Sequence, residues 1–354
     1  MRDRGLDAVR HADIAELAKV SEATVSRVLN GKPGVAAATR QAVLTAMDQL
    51  GYERPSRSRQ RSAGLIGLII PELDNPIFPA FAQVIDRTLA MRGYTSVLCT
   101  QTPGGATEDE FIETLTERGV AGIVFVSGLH ADTTARHDRY TRLIESGLPV
   151  VFLNGHAPGV RAPFFSDDDG TAVQLAITHL RELGHERIGL AVGPQRFVPA
   201  QRKAAEFRRL MAPVLGSPDD ADKLIVHSLF SVEGGHSAAW FLLEQGCTAV
   251  VCGSDLMALG AIRVARKRGL AVPRDFSVVG YDDSPLIAFT DPPLTTIQQQ
   301  VPAMATAAVR TLLDEIAGAE VPTGEYLFQP ELIVRGSTAA CASTAPPSVT
   351  GDAG

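Results

Sequence analysis

The sequence predicts an α-helical helix-turn-helix headpiece followed by an α/β body of two doubly wound subdomains. Three observations lead there. Residues 12–52 hold three short stretches with apolar residues at helical spacing. From Leu65 onward, short runs apolar on both faces alternate with amphipathic stretches, the pattern of a buried parallel sheet covered by helices. That alternation then occurs a second time, in a half of similar length. A chain of 354 residues with 45% hydrophobic content has room for two or three domains and a large core.

In the first stretch, Ile14, Ala15, Leu17 and Ala18 form an apolar face, Val20 ends the helix, and Ser21 is a good N-cap for the next. Ala23, Val25, Val28 and Leu29 supply the apolar residues of the second helix, while Glu22, Thr24, Ser26 and Arg27 face outward or cap. Two short helices joined by about four residues form a helix-turn-helix, whose second helix enters a DNA major groove. The competing reading is an amphipathic helical pair with no nucleic-acid role. Val35, Val43, Ala46 and Leu50 add a third helix of about 12 residues that closes a mini-core.

The motifs Ser21-x-Ala-Thr-Val-Ser-Arg-Val-Leu-Asn-Gly31, Thr39-Arg40 and Leu50-Gly51-Tyr52 resemble the lactose-repressor (LacI/GalR) family of bacterial transcription regulators. The likeness runs to about Ser337. It implies a DNA-binding headpiece over 1–53, a linker over 54–63, a ligand-binding and dimerisation body over 64–337, and a disordered tail over 338–354. Arg27 is then the base reader, able to bond guanine bidentately, with Glu22, Ala23 and Ser26 beside it. Ser21, Thr24, Asn30, Thr39 and Tyr52 are expected on phosphates. Three departures predict a marginal headpiece. His11 stands where an apolar residue is usual, Lys19 occupies a turn position that favours Gly or Asn, and Ala36 replaces a capping Ser/Thr.

Charge supports the division. The chain nets −7, yet residues 1–62 carry 11 Lys/Arg against 7 Asp/Glu, a basic head on an acidic body. The linker is shorter than the family's and lacks its minor-groove leucine. Nine residues separate Pro55 from Leu65, with little room for a hinge helix, and Arg57, Arg59 and Arg61 remain to meet phosphates or a narrow minor groove. A solvated connector is the competing reading.

In the body, strands are expected at 65–70, 95–99, 122–126 and 149–153, then at 187–192, 224–227, 249–252 and 276–280. Helices fall near 78–92, 108–118 and 134–146, then near 199–212, 234–245 and 256–268. The family likeness implies the type I periplasmic-binding-protein fold, with crossings near Phe164, Asp291 and Tyr326. The subdomains would comprise 64–163 with 292–325, and 164–291 with 326–337, the helix at 301–317 returning to the first. A ligand binds between the carboxyl ends of the strands.

The loop Pro71–Phe78 follows the first strand, so Asp74 and Asn75 are placed to bond hydroxyls and Phe78 to offer a flat wall, as are Phe165 and Phe230. Matching family positions adds Ser127, Asn154, Lys203, Ser254, Asp255, Asp282 and Gln299. Lys203 stands where the family has Arg and supplies a point charge rather than a fork.

Other chemistries fit less well. Asp167-Asp168-Asp169 with His156 or His130 suggests a metal, but a continuous acidic run ahead of a helix suits N-capping at Asp169 better. No Gly-x-Ser-x-Gly elbow or Gly-x-Gly-x-x-Gly loop is present. Cys99, Cys247, Cys252 and Cys341 lack metal spacing and are expected as free thiols. The expectation is a cytoplasmic, nucleoid-associated homodimer with no cofactor, metal, catalytic residue or membrane span. It would bind a palindromic operator as a repressor, under control of a sugar or sugar derivative. Control by a protein partner is the alternative, and a metal-dependent α/β hydrolase with a DNA module a remote one.

Overall fold

The structure, a computed structural model, describes residues 11–29, 32, 34–50, 52, 63–101 and 104–341. The chain divides into two compact units, residues 1–61 and 62–354.

The first unit holds α1 (His11–Leu17), α2 (Glu22–Leu29) and α3 (Ala37–Gln49). Ile14, Ala15, Val25, Val28, Val43 and Ala46 form its buried core. Helix α1 stops at Leu17, before the expected Val20. Lys19 adopts φ 53°, a left-handed conformation that costs an L-residue about 1–2 kcal/mol. Leu17, expected on the apolar face, is 45% exposed. The Thr24 backbone N–H donates to Ser21 Oγ at 3.2 Å, so Ser21 caps α2, whereas Ala36 offers α3 no side-chain cap. His11 lies on α1, its Nε2 3.1 Å from the Tyr52 hydroxyl, a polar contact where an apolar one was expected.

The second unit begins with β1 (Gly64–Ile70), α4 (Ile77–Met91), β2 (Tyr94–Thr100), α5 (Glu108–Glu117), β3 (Gly122–Val126), α6 (Asp138–Glu145), β4 (Val150–Leu153) and β5 (Pro163–Asp167). It continues with α7 (Asp169–Glu182), β6 (Ile188–Val192), α8 (Val198–Leu215), α9 (Pro218–Asp222), β7 (Ile225–His227), α10 (Val232–Glu244), β8 (Ala249–Cys252), α11 (Asp255–Lys267), β9 (Ser277–Asp282) and β10 (Thr295–Gln298). It closes with α12 (Val301–Ile316), β11 (Gly324–Phe328) and β12 (Glu331–Ile333). One sheet runs β11-β5-β4-β3-β1-β2 and the other β12-β10-β9-β8-β6-β7. All pairings are parallel except β10 with β12. Central strands β3, β6, β8 and β9 are buried along their whole length, which explains their continuous apolar sequences.

The chain changes sheet later than expected. Strand β5 stays in the first sheet to Asp167, β10 in the second to Gln298, and β11 in the first to Phe328. The crossings therefore fall at about 168, 299 and 329 rather than near Phe164, Asp291 and Tyr326. The tail also starts later than 338. His179 Nε2 lies 2.9 Å from Thr338 Oγ1, the Ala339 N–H donates to Ser277 Oγ, and the Cys341 N–H donates to the Leu183 carbonyl. Among the described residues no helix is long and apolar enough to cross a membrane.

Candidate functional site

On the headpiece, α2 buries Val25 and Val28 and leaves Glu22, Ala23 and Arg27 exposed on one side. Thr24, Ser26, Thr39 and Tyr52 are half-buried. Ala23, counted among the apolar residues of the helix, stays out of the core. Asn30, Arg57, Arg59 and Arg61 lie outside the described residues.

In the body, the parallel strands of both sheets direct their carboxyl-terminal loops at one cleft, which encloses a cavity of about 190 Å³. A single water needs roughly 10–15 Å³, so the space suits a small molecule rather than a few waters. The loop after β1 brings Glu72, Asn75 and Phe78; those after β3 and β4 bring Ser127 and Asn154; the end of β5 brings Ser166 and Asp167. From the other side come Phe197, Lys203, Phe230, Ser254, Tyr281, Asp282 and Gln299. Ser127, Asn154 and Asp282 hold φ of 48°, 61° and 118°. Three lining residues in a region L-residues avoid mark the strand ends as strained, as functional loops often are. Gly193 leaves room for Phe230: a Cβ there would meet the ring at 2.0 Å.

Of the expected cleft residues, Asn75, Phe78, Ser127, Asn154, Lys203, Phe230, Ser254, Asp282 and Gln299 line the cavity. Asp74, Phe165 and Asp255 do not. Asp74 is exposed on the outer part of its loop. Phe165 is buried in the first sheet's core and stacks on Tyr326 at 5.2 Å. Asp255 accepts from the Ser284 N–H at 2.7 Å and Thr296 Oγ1 at 2.6 Å beneath the cleft floor, and burial pushes it up to about 6. Ser254 lines the cavity while capping α11, its Oγ accepting from the Met257 N–H.

Sequence reading assigned Asp167 and Asp169 to other roles and missed Tyr281 and Phe197. The acidic run does three separate jobs. Asp168, not Asp169, caps α7, accepting from the Thr171 N–H at 3.0 Å. Asp169 is buried and paired with the Lys203 ammonium, which lies 3.9 Å from the centre of the Tyr281 ring. Asp167 Oδ2 accepts from the Tyr281 hydroxyl at 2.5 Å, and burial drives its carboxyl up to about 7 against the pull of Tyr281 and Lys203. Each carboxylate thus has its own partner. Tyr281 stands at the same strand end as Asp282, which the family likeness had singled out.

At the lip of the cleft, the loop after β3 meets the loop after β6. Asp132 and Phe197 form an antiparallel bridge, the Thr133 N–H donates to the Arg196 carbonyl at 2.8 Å, and Arg196 Nε donates to Asp132 Oδ2 at 2.8 Å. Arg202 of α8 forks onto Glu325 of β11, with two bonds of 2.7 Å. Both contacts tie one subdomain to the other.

Comparison with known proteins gives concordant matches. Residues 12–55 match the family described as bacterial regulatory proteins, lacI family, and residues 177–338 match a periplasmic binding protein-like domain. The chain is 65% identical over 332 residues to the HTH-type transcriptional regulator MalR of Streptomyces coelicolor, covering 93% of this chain and 96% of that one. A solved complex of the transcriptional regulator CelR with cellobiose superposes with a TM-score of 0.68 at 30% identity, covering 93% and 99% of the two chains. The lac repressor dimer bound to operator and the anti-inducer ONPF gives a TM-score of 0.64 at 27% identity, covering 94% and 100%.

Proposed function

This chain belongs to the lacI family of bacterial regulatory proteins and is a DNA-binding transcriptional regulator, and from that premise we propose that it is a homodimeric repressor released from its operator by a small sugar bound in the cleft. The observation that carries the reading is the joint presence of an exposed Arg27 face on α2 and a cleft walled by Phe78, Phe197 and Phe230 with carboxylates and amides at its rim. Flat rings that stack on a sugar face, with polar groups for its hydroxyls, are what such a ligand needs. The sugar complex of CelR supports the ligand class, and the operator-bound lac repressor dimer supports the homodimer. A DNA target fits a cytoplasmic regulator.

The headpiece is tested on DNA selected from a random pool. The selected sequence should be a palindrome, as expected for two heads related by a two-fold axis. Arg27→Ala should weaken binding to it by about 1–3 kcal/mol and leave binding to random DNA nearly unchanged. Equal losses on both DNAs would reduce Arg27 to a phosphate contact and remove the assigned base reader.

A further inference from the structure

We infer that the cleft selects its ligand by the hydrogens that the ligand donates, through Asp167 and Gln299, and turns away anionic sugars such as phosphates and uronates. The inference rests on the reading that this cleft is the effector site. Two atoms carry it. Asp167 Oδ1 and Gln299 Oε1 are buried and have no hydrogen-bond partner among the described residues. Both side chains line the cavity, and the two residues are only 4% and 8% exposed.

Neither atom is free to find a partner by turning. The Tyr281 hydroxyl holds the other oxygen of Asp167 at 2.5 Å, and Gln299 Nε2 donates to Asp282 Oδ1 at 2.7 Å. Rotating Gln299 to present its amide N–H₂ would break the bond from Nε2 to Asp282 Oδ1. Above about pH 7, where Asp167 is ionised, the cleft therefore offers two fixed acceptors, and an unpaired buried acceptor is unfavourable until a donor arrives. A sugar hydroxyl supplies one. An ionised phosphate or carboxylate group has only acceptor oxygens and leaves unpaired whichever of the two atoms it faces.

Charge points the same way. The lining includes the carboxyl groups Glu72, Asp167, Asp169 and Asp282, and its one cation is Lys203. Lys203 is already paired with Asp169 and held against the Tyr281 ring. An incoming anion finds no available counter-charge in the lining, and above about pH 7 it faces the ionised Asp167, so like-charge repulsion adds to the lost hydrogen bonds.

The test is calorimetry on the full chain at pH 8, where Asp167 is ionised, with ribose, glucose and α- and β-linked glucose disaccharides set beside ribose 5-phosphate, glucose 6-phosphate and glucuronate. At least one neutral sugar should bind, and the anionic members should bind at least a hundredfold more weakly. Asp167→Asn, with its fold checked by circular dichroism, should weaken the neutral sugar at least tenfold. Equal or tighter binding of an anionic sugar, or unchanged affinity in Asp167→Asn, overturns the inference and leaves the cleft as effector site. Failure of every sugar of either charge to bind overturns the effector-site reading and this inference together.

Discussion

Asp167 shows how one residue can trade stability for binding. Its carboxyl is raised from 3.8 to about 7, chiefly by burial, with Asp169 and Asp168 adding and Tyr281 and Lys203 opposing. The folded chain therefore holds this proton more tightly than the unfolded chain. That contribution to stability is fully present below about pH 4 and is lost as pH rises through about 7. Asparagine has the shape of the protonated acid and does not titrate. Asp167→Asn should therefore be more stable than the parent at pH 8, by a margin about 2–3 kcal/mol larger than at pH 5. Denaturant titrations at the two pH values measure the difference. A margin that does not change with pH would mean that Asp167 is ionised throughout and poses no burial problem. The acidic run 167–169 was visible in the sequence as chemistry, but its division into a cleft acceptor, a helix cap and a lysine partner was not. That division depends on Tyr281, Thr171 and Lys203, which reach these three carboxyl groups from two different elements and from within α7 itself.

At the scale of elements, legibility followed the length and continuity of the apolar run. Strands β3, β6, β8 and β9 are covered on both faces, so their sequences are nearly continuous apolar runs and could be placed from pattern alone. Strands β5, β10, β11 and β12 escaped because they are three to five residues long and break their apolar runs with Pro163, Thr295, Glu325 and Glu331. Missing them displaced every crossing by several residues. The same short distances removed Asp255 from the site. It begins α11 at a strand end, as a cleft residue would, but turns beneath the floor to Thr296 and Ser284. The contact between the β3–α6 and β6–α8 loops was invisible in sequence because it joins residues more than 60 positions apart. It ties the two subdomains together at the lip of the cleft. Arg196→Ala removes the ion pair but leaves Asp132 bonded to Thr134, so the loop itself should persist. With the Arg196 side chain about half exposed, the pair contributes on the order of 1 kcal/mol or less. Arg196→Ala should therefore weaken ligand binding a few-fold, roughly threefold to fivefold, without a change in thermal stability. An unchanged affinity would show that the backbone bridge alone sets closure.

At the scale of the whole molecule, the chain separates a basic headpiece from an acidic body and places the body's cavity between two sheets. Closing on a ligand changes the relation of two packed subdomains, and packed interfaces respond to such changes in discrete steps. In a dimer, the same step would alter how two headpieces meet two half-sites. The central claim is that cleft occupancy controls operator affinity, and the direct measurement is operator binding with and without the neutral sugar that calorimetry identifies. The parent protein should lose at least tenfold in operator affinity at saturating sugar, while Asp282→Ala should bind the operator normally and no longer respond. Operator affinity unmoved by a sugar that demonstrably fills the cleft would contradict the account.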